Sequence, residues 1–535
     1  MPRGMRPRTG GMVNGLLLGV VLLALLVAGA ARRRGLSSPL LLVVVGLAAS
    51  LLPGFRTVQL DPQLVLFAVL PPLLYSAALE SSYSGLRNNL RPIGLLAVVL
   101  PLVTTAVVAW VAWLVLPQLP FTAALVLGAV VAPPDAVSAT AVGRRLGLPR
   151  RIMTLLSGES LLNDATALTA YRVALAAVVG TGASLLRGVA TFALAATGGV
   201  LVGLVVGFVV SKIRKRLDDP VLESAIGLVV PFLAYLAAEE LHGSGVLAVV
   251  VAGLFLGNRS VRSGYATRLQ DTAVWKAADV VLESFVFLLI GLQLPTVLSG
   301  LRGHSVGSLA VASVAVLATV VAARMLWVMP MALLPRMLSR ENPPSARGAL
   351  VVAWAGMRGV VSLAAAFAIP LTVSAGPAFP ARAEILFLTF VVVIGTLLLN
   401  GLTLPWVIAH LGVQDDAEVH ADAVAEAAAQ HDAATAAMAR LDELVESDPP
   451  VSEQAAEVLR RLTQHRNNTA WERLGRDESE VGESPSSAFR RLRREMLATE
   501  RKVFLDHRDD GRIDDEVLRR VLRGLDQEEA LLDRD

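Results

Sequence analysis

No cysteine occurs in the 535 residues. The chain therefore has no disulfide framework, no thiol nucleophile and no cysteine-based zinc or iron–sulfur site. Charge is scarce as well. Asp, Glu, Lys and Arg make up 17% of the residues, against about 25% in an average soluble domain. The shortage is confined to one part of the chain: residues 1–414 hold 45 of the 93 charged residues and residues 415–535 hold the other 48. The first stretch is too apolar for a water-soluble domain, and the second is too charged to enter a bilayer. No Gly-x-x-x-x-Gly-Lys-Ser/Thr loop is present, so no nucleotide is expected and an ion gradient is the expected driving force. No nucleic acid is expected either. The basic residues before 415 fall in short clusters between apolar runs, where membrane topology explains them, and the tail is net acidic, with 18 basic and 30 acidic residues.

What is present is a series of apolar runs. About 20 such residues cross the hydrocarbon of a bilayer, and thirteen candidates lie at 13–31, 38–53, 62–79, 92–116, 121–142, 152–179, 188–210, 221–241, 245–257, 274–294, 306–330, 349–373 and 383–411. They predict an all-α polytopic membrane protein over 1–414, followed by a helical cytoplasmic tail over 415–535. Alternate loops carry 19 Lys and Arg on one side and four on the other, which places the C-terminus inside and the N-terminus outside. Arg3, Arg6 and Arg8 run against that orientation. A cleaved signal peptide is the alternative for the first run. In the tail, 421–444 and 452–462 have helical spacing, Asp448-Pro449-Pro450 separates them, and Glu478–Ser487 reads as a loop. Arg490, Arg491, Arg493 and Arg494 form a basic cluster, either a solvated helix face or a docking patch for anionic lipid or for the membrane region.

Ionisable residues inside apolar runs are costly and are functional candidates by default. Asp135 follows Ala132-Pro133-Pro134 in the fifth run. Two prolines remove two backbone donors, so the helix is expected to break there and to offer free carbonyls beside a carboxylate. A simple proline kink is the structural alternative. In the sixth run, Gly158-Glu159-Ser160-Leu161-Leu162-Asn163-Asp164 puts Ser160 and Asp164 one turn apart on one face, with Glu159 and Asn163 on a neighbouring row. Asp164 with Ser160 is expected to face an ion and Glu159 a neighbouring helix; a structural polar network is the alternative. In the twelfth run, glycines flank Arg358 and predict a second interruption. Paired interruptions at matching positions of two repeated halves mark a transporter's central site, and Arg358 is expected to balance Glu159. Lys276, Asp279 and Glu283 share a helix face and are expected to pair among themselves. Glu239 and Glu240 are expected at an outer entrance or in solvent, and Arg324 is expected to snorkel to an interface.

Leu70-Pro71-Pro72-Leu73-Leu74-Tyr75, Ala132-Pro133-Pro134-Asp135-Ala136-Val137, the Gly158–Asp164 segment, Gly243-Ser244-Gly245-Val246-Leu247-Ala248, Phe287-Leu288-Leu289-Ile290-Gly291 and Gly356-Met357-Arg358-Gly359 together resemble motifs of the monovalent cation:proton antiporters of the sodium/proton exchanger branch. The resemblance implies a thirteen-helix inverted repeat with two interrupted crossing helices, usually a homodimer in the plasma membrane, working by alternating access. It implies no cofactor beyond the transported Na⁺, or other monovalent cation, and H⁺. It makes Asp164 the carrier of proton or cation, with Ser160, Asp135 and Asn163 in the site and Na⁺ held by Asp164, Ser160 and Asp135. Glu159, Arg358 and Pro134 would support the site and balance its charge. Asn163 marks the electroneutral branch. Where the family commonly has Thr-Asp-Pro, this chain has Pro134-Asp135-Ala136, and a threonine hydroxyl is missing from the expected ion shell. A channel or symporter would use the same polar centre. An intramembrane hydrolase is disfavoured, because Ser160 has no intramembrane histidine: His242, His304 and His410 lie near run ends.

Overall fold

The computed structural model describes residues 9–34, 37–52, 62–179, 185–217, 219–260, 264–301, 305–337, 345–373, 377–413, 416–447, 453–472 and 485–534. Among them regular structure is helical, apart from one isolated bridge between Thr372 and Ala378. The chain divides by its internal contacts into Met1–Gln414 and Asp415–Asp535. The first unit contains α1 (Thr9–Arg33), α2 (Ser38–Ala49), α3 (Leu70–Glu80), α4 (Tyr83–Asn88), α5 (Leu90–Gly94), α6 (Leu100–Val115), α7 (Phe121–Val131), α8 (Ala136–Arg145), α9 (Arg150–Val179), α10 (Leu185–Arg214), α11 (Pro220–Glu240), α12 (Gly245–Ser260), α13 (Tyr265–Leu292), α14 (Leu294–Ser299), α15 (Val306–Met337), α16 (Ala346–Trp354), α17 (Val360–Phe367) and α18 (Arg382–Leu411). Each of the thirteen apolar runs falls on one of these helices or on a consecutive pair. Among the described residues, six stretches are long and apolar enough alone to cross a membrane: Leu90–Val115, Gly188–Arg214, Pro220–Glu240, Tyr265–Ser299, Val306–Leu333 and Arg382–Leu411.

Proline dictates several local departures from the α-helix. Leu64–Val69 and Leu95–Val99 are π-helical turns that run directly into Leu70-Pro71-Pro72 and Leu100-Pro101. A proline ring clashes with the carbonyl one turn back, and the wider π turn relieves that clash. In the fifth and twelfth runs the helix stops altogether, between Val131 and Ala136 and between Trp354 and Val360.

Three apolar cores lie in the unit, one of them around α1, α2, α13, α16 and α17. α6, α7, α9, α15 and α18 pack on one another, burying Leu127, Val130, Val316, Val320, Leu388 and Val392. α3, α10, α11, α12 and α13 form a further group, with Tyr75, Ala234, Val249 and Trp275 in its core. Small residues let backbones touch here. Gly199, Gly203 and Gly207 of α10 meet α12 at Leu247, Val251 and Phe255. Gly46 of α2 faces Gly291 of α13.

The second unit holds α19 (Asp416–Ser447), α20 (Glu453–Glu472), α21 (Pro485–Asp509) and α22 (Asp515–Arg534). The helices expected at 421–444 and 452–462 are segments of the longer α19 and α20, and α21 begins inside the expected 478–487 loop. α19 pairs with α20 and α21 with α22. The second turn depends on Gly511, whose φ of +71° suits glycine. Arg493 of the basic cluster reaches across to Glu528 at 2.6 and 2.7 Å, and this guanidinium holds the Glu528 carboxyl below the usual carboxylate range. Arg3, Arg6, Arg8, His304, Asp448-Pro449-Pro450 and residues 478–484 lie outside the described residues.

Candidate ion-binding site

α7 ends at Val131 because Pro133 and Pro134 bring no amide hydrogen to the carbonyls one turn back. Arg358, 1% exposed, answers part of that deficit. Its Nε donates to the Val131 carbonyl at 3.1 Å and its Nη1 donates to the Gly356 carbonyl. The Arg358 amide donates to Thr396 Oγ1 at 2.9 Å. Asp135 directly precedes α8, and its amide donates to the Met357 carbonyl at 2.7 Å. A Cβ on Gly359 would collide with the Asp135 carboxyl group. The two interruptions are therefore in backbone contact, and a side chain at 359 would have to displace the Asp135 carboxyl group. The Asp135 carboxylate lies beside the N-terminal ends of both α8 and α17, where the helix dipoles favour negative charge.

The α16 end is closed by a second arginine. Arg324 of α15 donates through Nε to the carbonyls of Val352 and Ala353, both at 3.2 Å, and through Nη2 to Val352 at 2.9 Å. Both terminal nitrogens also pair with the Glu159 carboxylate, Nη2 to Oε2 at 2.8 Å. The two side chains are 3% and 2% exposed. This corrects two expectations: Glu159 pairs with Arg324 rather than Arg358, and Arg324 does not snorkel. The apolar run that ended at 330 continues as helix to Met337, which puts Arg324 well inside α15. Each half-helix thus ends on an arginine that occupies carbonyls the missing next turn would have used.

Asn163 is fully buried and donates through Nδ2 to the Pro134 carbonyl at 2.7 Å. It ties α9 to the unwound segment. Asp164, Ser160, Asp135 and Pro134 line a cavity of about 250 Å³ together with Pro133, Glu283 and Ser362. Asp164 itself is 8% exposed. The cavity runs from these residues to Glu80 and Arg144, which form an exposed ion pair at 3.2 Å. Four of the expected site residues therefore share one cavity wall. Glu159, Asn163 and Arg358 stand behind it, holding the broken backbone.

Glu283 and Ser362 are two residues on the wall that were not anticipated. Glu283 faces the cavity, whereas Lys276 is exposed and Asp279 accepts a hydrogen bond from Ser76 at 2.6 Å. The expected self-paired stripe on α13 is not formed. Ser362 is the other; nothing in its apolar sequence surroundings marks it. Glu239 is bound by Arg172 at 2.8 and 2.9 Å.

The family model for the sodium/hydrogen exchanger transmembrane region matches residues 20–410. An uncharacterized Na⁺/H⁺ exchanger of Mycobacterium tuberculosis is 34% identical over 544 residues, covering 98% of this chain and 97% of that protein. A sodium, potassium, lithium and rubidium/H⁺ antiporter of Bacillus subtilis is 31% identical over 381 residues, covering 69% of this chain and 57% of that protein. Among solved structures, the sodium proton antiporter MjNhaP1 of Methanocaldococcus jannaschii at pH 8 superposes with a TM-score of 0.60 at 21% identity, covering 75% of this chain and 98% of that one.

Proposed function

Because the chain belongs to the sodium/hydrogen exchanger family, a family of multi-pass cation/proton antiporters, we propose that it exchanges Na⁺ or a related monovalent cation for H⁺ at Asp164. The observation that carries this reading is the shared cavity wall: one carboxylate on an unbroken helix faces the junction of two broken ones. The surrounding charges offset one another. Glu159 neutralises Arg324, and Asp135 lies in the same pair of interruptions as Arg358. Asp164 and Glu283 are the further carboxylates on the wall, and in this proposal Asp164, one turn from Ser160, is the one whose state decides whether the centre is neutral. A bare charge at the centre of a membrane costs at least about 2.5–3.5 kcal/mol. A bound cation or a bound proton removes that cost equally well, so either loaded form crosses and the bare form does not. One-for-one replacement makes the exchange electroneutral, with no nucleotide, covalent intermediate or resident cofactor.

In this proposal Asp164, Ser160 and Asp135 bind the cation, Pro134 contributes to the unwound wall, and Asn163, Glu159 and Arg358 hold that wall in place. The membrane unit has thirteen crossings in an inverted repeat and works as a homodimer in the plasma membrane, with the N-terminus outside and the C-terminus cytoplasmic. The cavity mouth at Glu80 and Arg144 then faces the cytoplasm. The test is Na⁺-driven proton movement in proteoliposomes. Asp164→Asn is expected to abolish it, and retained exchange by a well-folded Asp164→Asn protein rejects the assignment.

A further inference from the structure

Ser362 is 1% exposed, and its hydroxyl is buried with no hydrogen-bond partner among the described residues. It lies on the wall shared by Asp164, Ser160 and Asp135. We propose that the Ser362 hydroxyl is a further oxygen ligand of the transported cation, supplied by the second broken helix in place of the hydroxyl that Pro134 cannot offer. The inference rests on the antiport reading above and names one more member of its binding shell.

The local backbone explains why this hydroxyl is left over. Serines and threonines inside helices normally donate to the carbonyl four residues back. Thr105, Thr169, Ser313 and Thr319 all do so here, at 2.6–2.8 Å. For Ser362 that carbonyl belongs to Arg358, which lies in the non-helical stretch before α17. There is no regular turn beneath Ser362 to receive its proton. A buried hydroxyl without a partner is unfavourable; Thr104, Ser224 and Thr389 share that condition away from the cavity, whereas Ser362 has it on the cavity wall, where an occupant of the cavity could relieve it.

Placement and charge agree with a cation as that occupant. Ser362 is one turn along from Gly359, the residue packed on the Asp135 carboxyl group. α9 brings Asp164 and Ser160, the α7–α8 junction brings Asp135, and α17 brings Ser362 to the same cavity. A neutral ligand adds coordination without altering the charge count that permits crossing. A proton needs a single carboxylate oxygen, whereas a dehydrated cation needs several oxygens. Ser362 therefore bears on the cation half of the cycle, and most strongly on the small, strongly hydrated ions.

The experiment compares wild type, Ser362→Ala, Ser362→Val and Ser362→Thr in proteoliposomes with Li⁺, Na⁺ and K⁺. A detergent melting series with each cation accompanies it. Ser362→Ala is expected to raise the apparent KM for Na⁺ and Li⁺ about 5- to 10-fold, the effect of losing one good ligand, and to raise that for K⁺ less. The melting shift produced by Na⁺ and Li⁺ shrinks in parallel, and Ser362→Thr restores both. Val and Thr match in shape and differ in the hydroxyl, so this pair decides the matter if the alanine protein fails to fold. Equal KM values and equal melting shifts for the two overturn the proposal. Asp164→Asn serves as the separate control. If it still exchanges ions while Ser362→Val loses its cation-induced melting shift, the Asp164 reading fails and the Ser362 ligand stands.

Discussion

Glu159 and Arg324 sit almost beyond the reach of water, and each is a hazard to the fold without the other. Removing one member of a buried ion pair strands the second charge and typically costs about 3–5 kcal/mol. Glu159→Gln is therefore expected to lower the melting temperature in detergent by many degrees and to reduce the yield of monodisperse protein. The double variant Glu159→Leu with Arg324→Met is expected to recover part of that loss, since apolar replacements of a buried pair are often close to neutral. Recovery stays incomplete because Arg324 also serves the carbonyls of Val352 and Ala353, and those acceptors would be left open. A double variant no more stable than Glu159→Gln would show that the pair itself is not what destabilises the single change. At the same scale Asn163 works through its amide, which holds the Pro134 carbonyl; an aspartate there would have no amide hydrogen to donate.

Helices α10 and α12 approach so closely that side chains cannot intervene. A Cβ at Gly203 would stand 2.9 Å from the Val251 Cβ, so Gly203→Val is expected to force the pair apart and cut folded yield several-fold, read by size-exclusion chromatography of the detergent extract. Gly19→Val, where a Cβ meets nothing within 4 Å, is the matched control and should be tolerated. The breaks were legible in the sequence because they are written in local chemistry: Pro133 and Pro134 cannot donate, and Gly359 permits the contact with Asp135. The face shared by Ser160 and Asp164 was legible for a similar reason, since four-residue spacing fixes it within one helix. Long-range partners were not. Arg324 meets Glu159 across 165 positions, and the misjudged end of its helix hid how deep it sits. Glu283 turned out to face the cavity, while Asp279 one turn before it meets Ser76 of α3, a rotation of α13 that periodicity leaves open. The isolation of the Ser362 hydroxyl depends on where α17 begins, and residue type does not set that point to within one turn.

The membrane unit closes its own apolar cores within residues 1–414, and the tail buries apolar residues of its own, Ala427, Ala456, Leu497, Leu518 and Leu525, beside ion pairs such as Arg493 with Glu528. Truncation after Gln414 is thus expected to leave a membrane protein that inserts, folds and exchanges ions in the proteoliposome assay. Failure of the truncated chain to fold would make the tail a structural part rather than an appended one. The two guanidinium groups at the half-helix ends have a consequence at the same scale. Carbonyl oxygens exposed at mid-depth would otherwise recruit sodium or potassium from the surroundings, and the shape of the bundle would then follow the salinity outside. By carrying immobile counter-ions of its own, the protein is expected to hold its two breaks in the same form whatever the salt outside, leaving the carboxylates of the cavity as the place where ambient cations act.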